Sequence, residues 1–148
     1  MAALTAAAER TIAAPADELF AYVADFRTHH PRILPPAFQD FTVESGGVGL
    51  GTVTSSRFTL GGTTETVRTR VVRVEPGRLI EETVETRPMT TTFRFLPGGD
   101  LTTVRIETTW TPRSGVRGLL ERLFAPRMLT RVYEDELGRL DAYAASQT

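Results

Sequence analysis

Residues 63–111 read TTETVRTRVVRVEPGRLIEETVETRPMTTTFRFLPGGDLTTVRIETTWT, and this stretch decides the fold. Apolar residues and threonine recur there at every second position, the period of a pleated strand with one covered face. Pro76-Gly77, Arg87-Pro88 and Pro97-Gly98-Gly99-Asp100 interrupt the pattern, and Gly61-Gly62 precedes it. All four joints suit tight hairpins. The predicted strands span 51–60, 63–74, 79–86, 89–96 and 101–111.

Short joints also fix the register. With Leu60 facing Thr63, Phe58 lies opposite Glu65, Ser56 opposite Val67 and Thr54 opposite Thr69. Pro76-Gly77 sets Val71 against Glu82 and Thr69 against Val84. Arg87-Pro88 sets Val84 against Thr91 and Glu82 against Phe93; the last joint sets Phe93 against Val104 and Thr91 against Ile106. Cross-strand partners share a face. One surface therefore collects Phe58, Val67, Thr69, Val71, Ile80, Val84, Phe93, Phe95, Val104, Ile106 and Trp110. The opposite surface is charged, with Arg68 facing Glu85 and Arg70 near Glu81 and Thr83.

Upstream, residues 4–12 alternate loosely as a first strand. Pro15 then opens a helix with Asp17 and Glu18 at its positive end and Leu19, Phe20, Val23 and Phe26 as its stripe. Residues 28–36 form one helical turn stopped by Pro35-Pro36, and a second strand carries Phe41 and Val43. Downstream, Ser114 can cap a helix bearing Val116, Leu119, Leu120, Leu123 and Phe124. A kink or break is expected at Pro126. The stripe resumes through Met128, Leu129, Val132, Tyr133, Leu137, Leu140 and Tyr143, and the dry sheet face is the surface against which it can be buried.

Composition narrows the chemistry. The 148 residues match the size of one domain, 1–148. There is no cysteine, so disulfides, thiolate metal sites and a cysteine nucleophile are excluded; two histidines leave almost nothing for zinc, and no metal or cofactor is expected. All 17 basic residues are arginine, which removes Schiff-base lysine chemistry. A net charge of -1 argues against nucleic acid. No apolar run approaches a membrane span. The start MAALTAAAER has no basic leader and meets Glu9 and Arg10 early, so a cytoplasmic location is expected.

The order of strand, short helices, meander and long terminal helix resembles the START/Bet v 1-like helix-grip fold. IAAPADELFAYVAD (12–25), VEPGRLI (74–80) and LLERLFAP (119–126) resemble the SRPBCC superfamily, particularly its polyketide cyclase/dehydrase-like branch. The resemblance covers nearly the whole chain. It implies an α+β fold in which a seven-stranded curved antiparallel sheet wraps a long Pro-kinked C-terminal helix, with two short helices after the first strand. It also implies a cavity between sheet and helix. Its expected walls are Phe58, Val67, Thr69, Val71, Val84, Thr91, Phe93, Val104, Ile106 and Trp110 on the sheet, with Leu120, Phe124, Met128 and Tyr133 on the helix.

Glu82 is the one carboxylate near the middle of the dry face, and burial there would raise its pKa. The competing expectation is a rim ion pair with Arg73, diagonal to it on the same face. His29 and His30 are expected to be exposed in a proline-bounded loop, the alternative being that one of them faces the cavity mouth as an acid/base, and the glycine-rich 46–51 segment is expected to be an ordinary connection or a gate. The expected function is binding of a small hydrophobic or aromatic molecule, by a monomer or homodimer. The alternatives are a cyclase/dehydratase-type enzyme using Glu82 as acid/base, and an interaction module with a closed pocket. Binding is preferred because the pattern places a single acid in the interior, whereas catalysis needs two positioned polar groups.

Overall fold

In the computed structural model, which describes residues 2–147, the period-two segments form one sheet. Strands β1 (Leu4–Ile12), β2 (Phe38–Ser45), β3 (Val53–Leu60), β4 (Thr63–Glu75), β5 (Leu79–Val84), β6 (Met89–Gly98) and β7 (Leu101–Trp110) lie in the order β1-β7-β6-β5-β4-β3-β2. Every neighbouring pair is antiparallel. The sheet curves, and β1 and β2, successive in sequence, stand at its two edges. Between them run α1 (Ala16–Ala24) and a 3-10 turn (His30–Arg32). The chain closes with α2 (Gly115–Ser146).

The β3–β4 and β4–β5 pairings are those expected from their turns, including Thr54 with Thr69, Val71 with Glu82 and Thr69 with Val84. The next two hairpins differ by two residues each. The β5–β6 connection takes four residues, 85–88, so Glu82 faces Thr91 and Ile80 faces Phe93. The β6–β7 turn is the tight Gly99-Asp100 pair, with Gly99 at φ 72°, so Phe93 faces Ile106 and Phe95 faces Val104. A slip of two preserves the face each side chain occupies, whereas a slip of one would reverse it. The inner face therefore keeps its expected members and changes only their partners.

A β-bulge between Val71 and Arg73 is the exception. One extra residue reverses the alternation, and Arg73 turns outward to pair with Glu75 and, at 4.0 Å, with Glu81. The expected rim pair with Glu82 does not form.

The helix α2 runs unbroken through Pro126. Proline removes one backbone donor, and Arg122, whose carbonyl loses it, is exposed to water. Ser114 holds the N-cap position without a side-chain capping bond. The two ends of this helix have different surroundings. Leu129, Tyr133, Leu137, Leu140 and Ala144 form a buried stripe over the sheet, while Val116, Leu119, Leu120, Leu123 and Phe124 are exposed. Leu19 and Val23 of α1 are fully buried, and Phe20 meets Phe95 edge-on at 5.6 Å. Half of the inner face is thus sealed and the other half is left open.

Candidate functional site

The open half is a cavity of about 630 Å³ between the sheet and α2. Phe58, Val67, Thr69, Glu82, Val84, Thr91, Phe93 and Trp110 reach it from the sheet, and Leu120, Phe124, Met128 and Tyr133 from the helix. Val71, Val104 and Ile106 do not. They lie in the closed core at 2% exposure or less, because α1 lays Phe20 over the Phe95–Val104 end of the sheet. Rings from the segment after α1 and from β2 (Phe26, Phe38 and Phe41) complete the wall. The 46–51 segment contributes nothing to it; Gly47 and Gly49 are hydrogen-bonded to Phe26 and Ala24 at the end of α1.

The floor is a polar row that register creates. Glu82, Thr91 and Thr108 are directly opposed across β5, β6 and β7. The Thr91 and Thr108 hydroxyls are 2.7 Å apart, and Thr108 bonds the Tyr133 hydroxyl descending from α2. Beside this row the Thr54 and Thr69 hydroxyls pair at 2.7 Å. Glu82 retains accessible surface because it borders the cavity. Surrounding protein nevertheless desolvates it and pushes its pKa up to about 7, with the Thr69 hydroxyl pulling weakly the other way.

A second acid faces the same space. Glu136, one helical turn beyond Tyr133, is 2% exposed and its Oε2 has no hydrogen-bond partner. Desolvation first, then the charges of Glu82 and Asp135, push its pKa up to about 8. No arginine pairs with either carboxyl among the described residues. Burial also raises Tyr133 far above neutrality, so its hydroxyl keeps its proton.

His30 is buried at 4% exposure and lines the cavity, contrary to the expected exposed loop. Its ring stacks on Phe26 at 4.4 Å and meets Phe93 edge-on at 6.0 Å. Nδ1 lies 2.7 Å from the Val23 carbonyl. A carbonyl only accepts, so Nδ1 carries the proton and Nε2 is left as an acceptor. Burial lowers the ring to about 4, keeping it neutral. His29 instead bonds the Tyr143 hydroxyl at 2.6 Å, away from the cavity.

The mouth is closed on one side by charge. Arg87 and Arg113 each bond Glu65, at 3.2 and 2.8 Å, and Arg87 reaches Glu121 at 3.5 Å. Trp110 Nε1 donates to Glu121 at 3.2 Å. These contacts tie β4, the 85–88 loop and β7 to the exposed end of α2.

The sequence pattern missed Glu136, and for His30 it favoured the exposed loop over the cavity-facing alternative. Helical spacing was the available signal for Glu136, which stands three residues after Tyr133 and four before Leu140; its place in the run Glu134-Asp135-Glu136 reads as a solvated face. The interior does not hold a single acid but two, with neutral hydrogen-bonding groups around them. Among the described residues no acid–histidine cluster could hold a metal ion, and no helix is long and apolar enough to cross a membrane.

A family model described as polyketide cyclase / dehydrase and lipid transport matches residues 3–145. Among solved structures, the KanY protein (ms6282) is similar at 26% identity over 97% of this chain and 98% of its own, with a TM-score of 0.84. The Zhui aromatase/cyclase from Streptomyces sp. R1128 is 17% identical over 97% and 94%, with a TM-score of 0.79. Norcoclaurine synthase from Thalictrum flavum, solved with dopamine and hydroxybenzaldehyde, is 16% identical over 99% and 89%, with a TM-score of 0.71. The last two identities speak to fold alone. No curated protein matches the sequence significantly.

Proposed function

Because the chain belongs to the polyketide cyclase/dehydrase and lipid transport family, we propose that it encloses a small, mostly apolar molecule bearing a carbonyl and performs acid–base chemistry on it. The supporting observation is two desolvated carboxyls, Glu82 and Glu136, that line one cavity and have no ion-pair partner among the described residues. Such a pair cannot easily carry two negative charges, so near neutrality one member ionises and the other keeps its proton.

Glu82, whose carboxylate the Thr69 hydroxyl stabilises, acts as base, and Glu136, which has an unpartnered oxygen and is held protonated by burial, as acid. The Glu82 carboxylate takes a proton from the carbon next to the carbonyl. The C–H electron pair becomes the new carbon–carbon double bond, and the carbonyl π pair moves to oxygen. Glu136 donates its proton to that oxygen, giving the enol and leaving one proton on the pair as before. Tyr133, held by Thr108, supplies a fixed donor, and the neutral His30 Nε2 accepts from a ligand hydroxyl. The stacked and edge-on rings of Phe26, Phe93 and His30 suit a flat, unsaturated ligand. The apolar walls favour a second reading, carriage without turnover.

β-Tetralone, an aromatic ketone, tests the first against the second. Its α-protons are expected to exchange in D₂O, followed by NMR, faster with the protein than in matched buffer. Glu82→Gln and Glu136→Gln should each remove about 10²-fold of that acceleration while anilinonaphthalene sulfonate still binds. Exchange equal in wild type and variants, with dye binding intact, would leave carriage alone standing.

A further inference from the structure

The first turns of α2 hold the largest group of exposed apolar side chains among the described residues. Val116, Leu119, Leu120, Leu123 and Phe124 are 51–75% exposed and recur at helical spacing, so they make one stripe about 140° wide at 100° per residue. Arginines flank and follow it: Arg117, Arg122, Arg127 and Arg131, none of which forms an ion pair among the described residues. The lone acid between 115 and 131, Glu121, is already engaged by Arg87, Arg113 and Trp110. The segment is thus apolar, positively charged and uncovered, while the other acids of α2 (Glu134, Asp135, Glu136 and Asp141) lie in its second half.

We propose that this half of α2 docks on an anionic lipid bilayer, with Leu119, Leu123 and Val116 at the acyl boundary and the arginines on lipid phosphates. A basic face beside an apolar stripe is the pattern of a helix lying in a membrane interface. A second copy of this chain does not fit, since a two-fold contact would set these arginines against their own counterparts. The stripe is also the rim of the cavity: Leu120, Phe124 and Arg117 are exposed and line it. Docking there points the mouth at the bilayer, so an apolar ligand passes between lipid and cavity without crossing water. The docking face stands independently of the acid–base chemistry, because the residues tested below do not line the cavity.

Co-sedimentation of the whole chain with phosphatidylcholine vesicles, and with vesicles containing about a third phosphatidylglycerol, tests it. Partitioning should be about ten-fold stronger on the anionic vesicles and should fall as salt rises. Arg122→Glu/Arg127→Glu should bring it down to the phosphatidylcholine level, and Leu119→Ser/Leu123→Ser should lower it about ten-fold on the anionic vesicles. Both variants should keep the wild-type circular dichroism spectrum and dye binding, since they change only exposed side chains. Equal partitioning on both vesicle types, no partitioning on either, or variants that partition like wild type would overturn the proposal. Binding of an acidic helical peptide in place of vesicles would overturn it too, assigning the face to a protein partner.

Discussion

Glu82 and Glu85 stand three residues apart, yet they live in opposite chemistries. Glu85 is on the outer face, where Arg70 at 2.9 Å and Arg68 hold its pKa below the ordinary carboxylate range. Glu82 is on the inner face, where desolvation pushes it up to about 7. Strand parity decides the face, and the face decides whether a carboxylate meets arginine and water or a cavity. Within the inner face a second contrast follows: Ile106 and Val104 are sealed under helices, while Val84 and Phe93 border open space.

The sealed half should be the more sensitive to truncation. Ile106→Ala is expected to cost about 4 kcal/mol in urea unfolding, and Val84→Ala, already beside a void, about 1 kcal/mol. Equal costs would erase the distinction between core and cavity wall.

Next in size is the pH response of the inner acids. Their folded-state values lie above the ordinary 4.5, so between pH 4.5 and 8 the folded chain holds protons that the unfolded chain has released. Their contribution to stability is then full below about pH 4.5 and is lost as pH rises to about 7 for Glu82 and about 8 for Glu136, by on the order of 3 to 5 kcal/mol each. Below pH 6.5 the buried neutral His30 acts in the opposite sense. Glu82→Gln/Glu136→Gln should flatten this slope in urea titrations at stepped pH. A slope unchanged in the double variant would mean that the two groups are solvated or paired.

The outer acid should give the smallest effect and the reverse sign. Glu85→Gln should lower the melting temperature slightly at neutral pH, less at high salt, and not at all once pH falls through the carboxylate range. A loss that persists at high salt would make the arginine ladder more than a solvated surface.

Much of the fold was legible because its signals are local. Period-two runs, glycine and proline joints and the 129–133–137–140 stripe each depend on residues a few positions apart. Even the two misjudged loops, 85–88 and Gly99-Asp100, cost only even slips of register, which leave every side chain on its face. The site was legible in part for the same reason: Glu82 and most of the apolar wall follow from parity.

What the sequence alone determined is the face of the strand residues outside the β4 bulge and the periodicity of each helix, since backbone geometry sets both. Tertiary structure alone decided the rest. The bulge that turned Arg73 outward, the burial of His30 between Phe26 and Phe93, and the rotation of α2 that brought Glu136 into the same cavity as Glu82 all depend on segments meeting across long sequence separations. So does the cavity itself. A void exists where two well-formed surfaces stop short of contact, and no single segment encodes that distance.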